Sequence, residues 1–105
     1  MTISIVVADD HSIVRHGLKA LLEEQPEFMV VGEAADGNET VRLVEHLSPD
    51  VLILDMVMPG LGGLEVIEQL RTASPKTRIV VFSMHRNEAY VQASLRNGAS
   101  AYVLK

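Results

Sequence analysis

Short apolar runs rich in β-branched residues alternate along this chain with longer segments whose apolar residues recur at helical spacing, and that alternation leaves few folds open. Ile3–Ala8, Phe28–Ala34, Val51–Leu54, Arg78–Ser83 and Ala101–Leu104 read as strands. The first has no strict alternation, as expected of a strand buried on both faces. Val14, Leu18, Leu21 and Leu22 mark a first helix whose apolar face reads as core, with Pro26 just beyond its end. Val41, Val44 and Leu47 mark a second, stopped by Ser48-Pro49, and Asp36-Gly37 before it reads as a turn. Leu64, Ile67 and Leu70 mark a third, after a loop holding Gly60, Gly62 and Gly63; a fourth, over 89–95, closes on Asn97-Gly98 as a C-cap. Strict β–α alternation predicts an α/β domain with a parallel sheet, right-handed crossovers and helices on both faces.

The 105 residues contain no linker, repeat or low-complexity tract, so residues 1–105 read as one domain. No fifth helix follows the fifth strand before Lys105. The expectation is a domain truncated ahead of that helix, with one sheet face covered by the first helix alone. A net charge of −5 and basic residues scattered without a stripe argue against direct nucleic-acid binding by this domain. No apolar stretch approaches the roughly 20 residues that span a bilayer, and the first residues lack the basic flank of a signal peptide. With no cysteine, a reducing compartment is compatible, and the expected location is cytoplasmic with no membrane contact.

The apolar run Val51–Leu54 ends on Asp55, with Met58-Pro59-Gly60 close behind; the first run ends on Asp9-Asp10. In an open α/β sheet, ligands sit at the carboxyl ends of the strands. Three acids at that edge point to a metal, a proton or a phosphoryl group. Strands in register would add Ser83 and Lys105 from the fourth and fifth strand ends. Each type has a task if the site handles phosphate. Clustered carboxylates call for a hard cation such as Mg²⁺, and a carboxylate so placed can act as a nucleophile. Lys105 would pair with a phosphoryl oxygen, and the Ser83 hydroxyl would bond another. Plainer readings stand beside these. Asp9-Asp10 could be an N-cap region, Asp55 a turn starter, Ser83 a strand-end hydroxyl, Lys105 a solvated residue and Tyr102 a half-buried strand aromatic. Met56, Met58 and Met84 read as gap-fillers. The four histidines are too scattered for a metal site, with His11 lining the pocket.

Four stretches carry a resemblance: Val7-Ala8-Asp9-Asp10-His11, Leu52-Ile53-Leu54-Asp55-Met56-Val57-Met58-Pro59-Gly60, Val81-Phe82-Ser83-Met84-His85 and Gly98-Ala99-Ser100-Ala101-Tyr102-Val103-Leu104-Lys105. In this order and at these strand ends, the chain resembles the response-regulator receiver domain of two-component signalling. The last two stretches are most similar to the LuxR/NarL (FixJ-like) subfamily, whose members usually carry a C-terminal helix-turn-helix DNA-binding domain. The resemblance implies a flavodoxin-like, doubly wound five-stranded sheet of order 2-1-3-4-5. It implies Asp55 as phosphoacceptor, Mg²⁺ held by Asp9, Asp10, Asp55 and the Met56 backbone carbonyl, and Ser83 and Lys105 on the phosphoryl group. Ser83 and Tyr102 would form the switch, while Val57 and His85 match variable positions that tune phosphoryl lifetime. A sensor histidine kinase would dock on the exposed edge of the first helix, with homodimerisation or transcription as output and DNA reached only through a C-terminal domain, if one follows. Such a domain is not a turnover enzyme, but assists its own phosphorylation and dephosphorylation. The alternative is a stand-alone or pseudo-receiver that only mediates interactions. A phosphatase resembling the haloacid dehalogenase family would want a second Asp where Val57 stands. An FMN carrier would want a Ser/Thr/Gly-rich loop where Asp9-Asp10-His11 stands.

Overall fold

The strands fall where the apolar runs predict them: β1 (Ile3–Ala8), β2 (Phe28–Ala34), β3 (Val51–Leu54), β4 (Arg78–Ser83) and β5 (Ala101–Leu104). Between them lie α1 (Ser12–Glu23), α2 (Gly37–Leu47), α3 (Gly63–Ala73) and α4 (Glu88–Asn97). The computed structural model describes residues 2–83 and 88–104; Met84, His85 and Lys105 lie outside the described residues. The sheet is parallel throughout, with order β2-β1-β3-β4-β5, the flavodoxin-like arrangement expected. The strand order reverses at β1 and β3, which opens a crevice at their carboxyl ends.

Pleating divides the apolar residues between two unequal faces. Val6, Ala8, Leu52, Leu54, Ile79 and Val81 point to one face and form the core with Val41 and Val44 of α2 and Val66, Ile67 and Leu70 of α3. The opposite face has Ile5 and Val7 buried, but Val51, Ile53, Val80 and Phe82 only half-buried. Among the described residues α1 is the only helix there, resting on β1 and β2. It has no fully buried residue. Val14, Leu18 and Leu22 are half-buried, whereas Leu21 is 65% exposed and is not core as its spacing predicts. A helix that rests on two strands buries a narrow stripe, and Leu21 lies outside it.

Two local features correct or extend the sequence reading. Asp36-Gly37 is not a free-standing turn: Asp36 is the N-cap of α2. Its carboxylate accepts the Glu39 N–H at 2.8 Å, and Glu39 Oε1 accepts the Ala35 N–H at 2.8 Å. This reciprocal exchange resembles a capping box. Gly37 then lies against the Leu61 carbonyl, where a Cβ has no room. At the far end of the chain Gly98 has φ 121°. The Ala99 N–H bonds to the Ser94 carbonyl at 2.9 Å and the Gly98 N–H to the Leu95 carbonyl at 3.2 Å. That pair of bonds is a Schellman motif, the expected C-cap of α4. Between β1 and β2 the register passes from Ile5↔Val30 to Val6↔Gly32, leaving Val31 as an extra residue in a bulge.

Candidate functional site

Ala8 pairs with Leu54 across β1 and β3, so the next residues, Asp9 and Asp55, leave the sheet side by side. Main-chain bonds continue the ladder past the strand ends: Asp9 N–H to the Ala34 carbonyl at 3.0 Å, and Asp55 N–H to the Ala8 carbonyl at 2.9 Å. The sheet therefore fixes both α-carbons, and both residues are buried, at 1% and 5% exposure. Asp10 and His11 follow at the surface. One ligand atom from each of Asp9, Asp10, His11 and Asp55 can be chosen so that all lie within 4.8 Å of one another.

The turn into α1 shapes this cluster. His11 is the N-cap and makes no side-chain cap bond, so the plain reading of Asp9-Asp10 as N-caps is not what the residues do. Instead Asp9 Oδ1 accepts the His11 backbone N–H at 2.9 Å, and His11 Nδ1 lies 3.1 Å from Asp9 Oδ1 and 3.1 Å from Asp10 Oδ1. His11 thus joins the acids while His16 and His46 do not. Asp55 Oδ1 accepts the Val57 N–H at 3.3 Å. The Met56 carbonyl accepts the Gly63 N–H at 3.3 Å, which holds it with one lone pair still available. Gly63 approaches so closely that a Cβ there would stand 2.8 Å from Met56 Cα. Behind the loop, the buried Ser94 hydroxyl of α4 donates to Met56 Sδ at 3.7 Å.

Unit charges separated by 4.8 Å repel by about 3.5 kcal/mol at an effective dielectric of 20. The three carboxylates, with His11 beside them, form a mostly oxygen donor set. That is the chemistry a hard divalent cation such as Mg²⁺ takes.

Ser83 is fully buried at the end of β4, at the same sheet edge, and pairs with Leu104 of β5. Tyr102 pairs with Val81 and packs half-buried against the core. Lys105 would come next, but it lies outside the described residues, as does His85. Val57 is 56% exposed.

Sequence reasoning missed Arg15, counted there only among scattered basic residues. Its Nη1–H donates to the Asp9 main-chain carbonyl at 2.7 Å and its Nε–H to Glu33 Oε1 at 3.2 Å. The available signal was its position one helical turn after His11, on the side that returns to the end of β1.

A flavodoxin-like sheet with a carboxylate cluster at its switch point defines a class of protein, and the comparisons agree with it. The chain belongs to the response regulator receiver domain family, which matches residues 5–105. Its relatives are of the LuxR/NarL type. It is 44% identical over 102 residues to the nitrate/nitrite response regulator protein NarL of Escherichia coli (strain K12), covering 97% of this chain and 47% of that protein. To the transcriptional regulatory protein DegU of Brevibacillus brevis it is 43% identical over 103 residues, covering 98% and 44%. The chain therefore spans about half the length of the curated relatives it matches. Among solved structures, a LuxR-family two-component response regulator from Aurantimonas sp. SI85-9A1 gives a TM-score of 0.95 at 40% identity, covering 100% of this chain and 75% of that one. The isolated REC domain of RcsB from Salmonella enterica serovar Typhimurium, solved with the phosphomimetic BeF3⁻, gives 0.93 at 32% identity, covering 100% and 78%. Receiver domains bind Mg²⁺ at an acidic pocket, and Asp9, Asp10 and Asp55 form an acidic cluster of that kind. No described helix is long and apolar enough to cross a membrane.

Proposed function

We infer that this chain is a phosphorylation-dependent switch in which Asp55 accepts a phosphoryl group from a sensor histidine kinase. The observation that carries the reading is the gathering of Asp9, Asp10 and Asp55 within 4.8 Å at the switch point of the sheet. In the transfer, an Asp55 carboxylate oxygen attacks the phosphorus of the donor phosphohistidine. The P–O bond forms as the P–N bond breaks, and the leaving imidazole takes the electron pair and a proton from solvent. Asp9, Asp10, Asp55 and the Met56 carbonyl would hold Mg²⁺, which when bound offsets the charge of the transferred group. The Val57 N–H, 3.3 Å from Asp55 Oδ1, helps orient the nucleophile.

Once Asp55 is phosphorylated, the Ser83 hydroxyl and the Lys105 ammonium contact the phosphoryl oxygens. Ser83 and Tyr102, near each other on β4 and β5, relay the change to α4 and β5. The roughly half-length coverage of the curated relatives supports reading residues 1–105 as the receiver portion of a longer transcriptional regulator, with DNA binding in another part of it.

The test is exposure to acetyl phosphate and Mg²⁺ followed by intact-mass measurement. The expected result is the gain of one phosphoryl group, absent without Mg²⁺ and absent in Asp55→Asn. No gain would leave the alternative, a pseudo-receiver acting only through protein contacts.

A further inference from the structure

We propose that Arg15 and Glu33 form a clamp that positions Asp9 for cation binding, making Arg15 a positioning residue of the site. The inference rests on reading the acidic cluster as the Mg²⁺ and phosphoacceptor site. Asp9 is the most buried of the clustered acids, and its main chain is held from both sides. Its N–H bonds to the Ala34 carbonyl at 3.0 Å, and its carbonyl accepts from Arg15 Nη1 at 2.7 Å. Arg15 is anchored in turn by Glu33, the residue before Ala34. The result is a closed circuit in which β2 grips Asp9 directly through Ala34 and indirectly through Glu33 and Arg15.

The bonded carbonyl belongs to the Asp9–Asp10 peptide. Holding its oxygen fixes the plane of that peptide and with it the directions in which both carboxylates leave the chain. The guanidinium side chain is 16% exposed and that of Glu33 27%, so water competes weakly for these charge-assisted bonds. Arg15 also brings a positive charge next to the acids while directing its donors to a main-chain oxygen and to Glu33. Groups that orient metal ligands in this indirect way typically govern affinity by about 10- to 100-fold.

His16 and Lys19 supply a built-in control. Both approach Glu33, at 3.9 Å each, yet neither is bonded to Asp9. Lys19→Ala therefore removes a Glu33 neighbour without opening the circuit.

The experiment titrates MgCl2 into the full chain by calorimetry, and separately measures phosphoryl uptake from acetyl phosphate at saturating Mg²⁺. Arg15→Ala is expected to weaken Mg²⁺ binding about ten-fold, while uptake at saturating Mg²⁺ returns to the parent rate. Glu33→Gln keeps the shape but loses the charge, and is expected to weaken Mg²⁺ binding by about three-fold. Lys19→Ala should bind as the parent does. Parent-like affinity in both Arg15→Ala and Glu33→Gln would overturn the clamp, as would an uptake defect that saturating Mg²⁺ does not repair. If Arg15→Ala does not fold, Glu33→Gln against Lys19→Ala decides alone: equal affinities refute the clamp. A parent chain that binds no Mg²⁺ would instead sink the underlying reading of the site.

Discussion

Three acids brought together by strand geometry should cost the fold stability until a cation arrives, and Asp10→Asn measures that cost. At 4.8 Å a pair of unit charges repels by about 0.9 kcal/mol in water and about 3.5 kcal/mol at an effective dielectric of 20. Asp10 meets two such neighbours, Asp9 and Asp55, and its side chain is 31% exposed. Water screening and side-chain rotation bring the expected relief down to about 1–2 kcal/mol. An asparagine keeps an acceptor oxygen facing His11 Nδ1, so little is lost in exchange. In EDTA the D10N variant should therefore melt about 4–8 °C above the parent. Mg²⁺ should erase that lead. A ligand at 100 times its dissociation constant stabilises the native state by about 2.7 kcal/mol, and the variant, lacking one carboxylate, gains much less. The assay is urea or thermal unfolding of both proteins in EDTA and in saturating Mg²⁺. Equal or lower stability of D10N in EDTA would refute the stored repulsion; an undiminished Mg²⁺ gain would remove Asp10 from the cation site.

Two further outcomes follow from packing. In Gly63→Ala the new Cβ would lie 2.8 Å from Met56 Cα and 3.0 Å from its carbonyl oxygen, and backbone yields poorly. A loss of about 1–3 kcal/mol with slower phosphoryl uptake is expected, and an unchanged urea midpoint would show that the loop after Asp55 gives way freely. Leu52 is fully buried in the main core and Ile53 half-buried on the α1 face. Leu52→Ala should cost about 3–4 kcal/mol and Ile53→Ala about 1–2 kcal/mol; similar losses in urea unfolding would contradict the unequal covering of the two faces.

The sequence made the strands legible because five apolar runs stand between polar, turn-rich segments, and parallel pairing then forces Asp9 and Asp55 to one edge. Gly98 was legible as a C-cap because its chemistry is local. The start of α2 was not: its first turn, Gly37 to Thr40, is polar or small, so apolar periodicity detects the helix only from Val41. Leu21 misleads because periodicity marks a helix face but not how wide a layer will cover it. The acids were visible one by one, yet the inclusion of His11 depends on how tightly the chain turns after Asp10. Arg15 and Glu33 were invisible as a pair. They are joined only because β2 lies beside β1 and α1 rests across both, a relation no local spacing encodes.

The bulge at Val31 has a consequence for the outer border of the sheet. β2 is the end strand, and Met29 and Val31 are 50% and 37% exposed. A straight apolar border of that kind offers its unpaired amides to any strand of another molecule. The extra residue breaks the spacing of those amides and bends the strand, so an incoming strand finds no continuous ladder to extend. The same irregularity sets Glu33 opposite Val7, on the face where α1 lies. One residue out of step thus guards the β2 edge against strand-to-strand pairing and aims the carboxylate that holds Arg15.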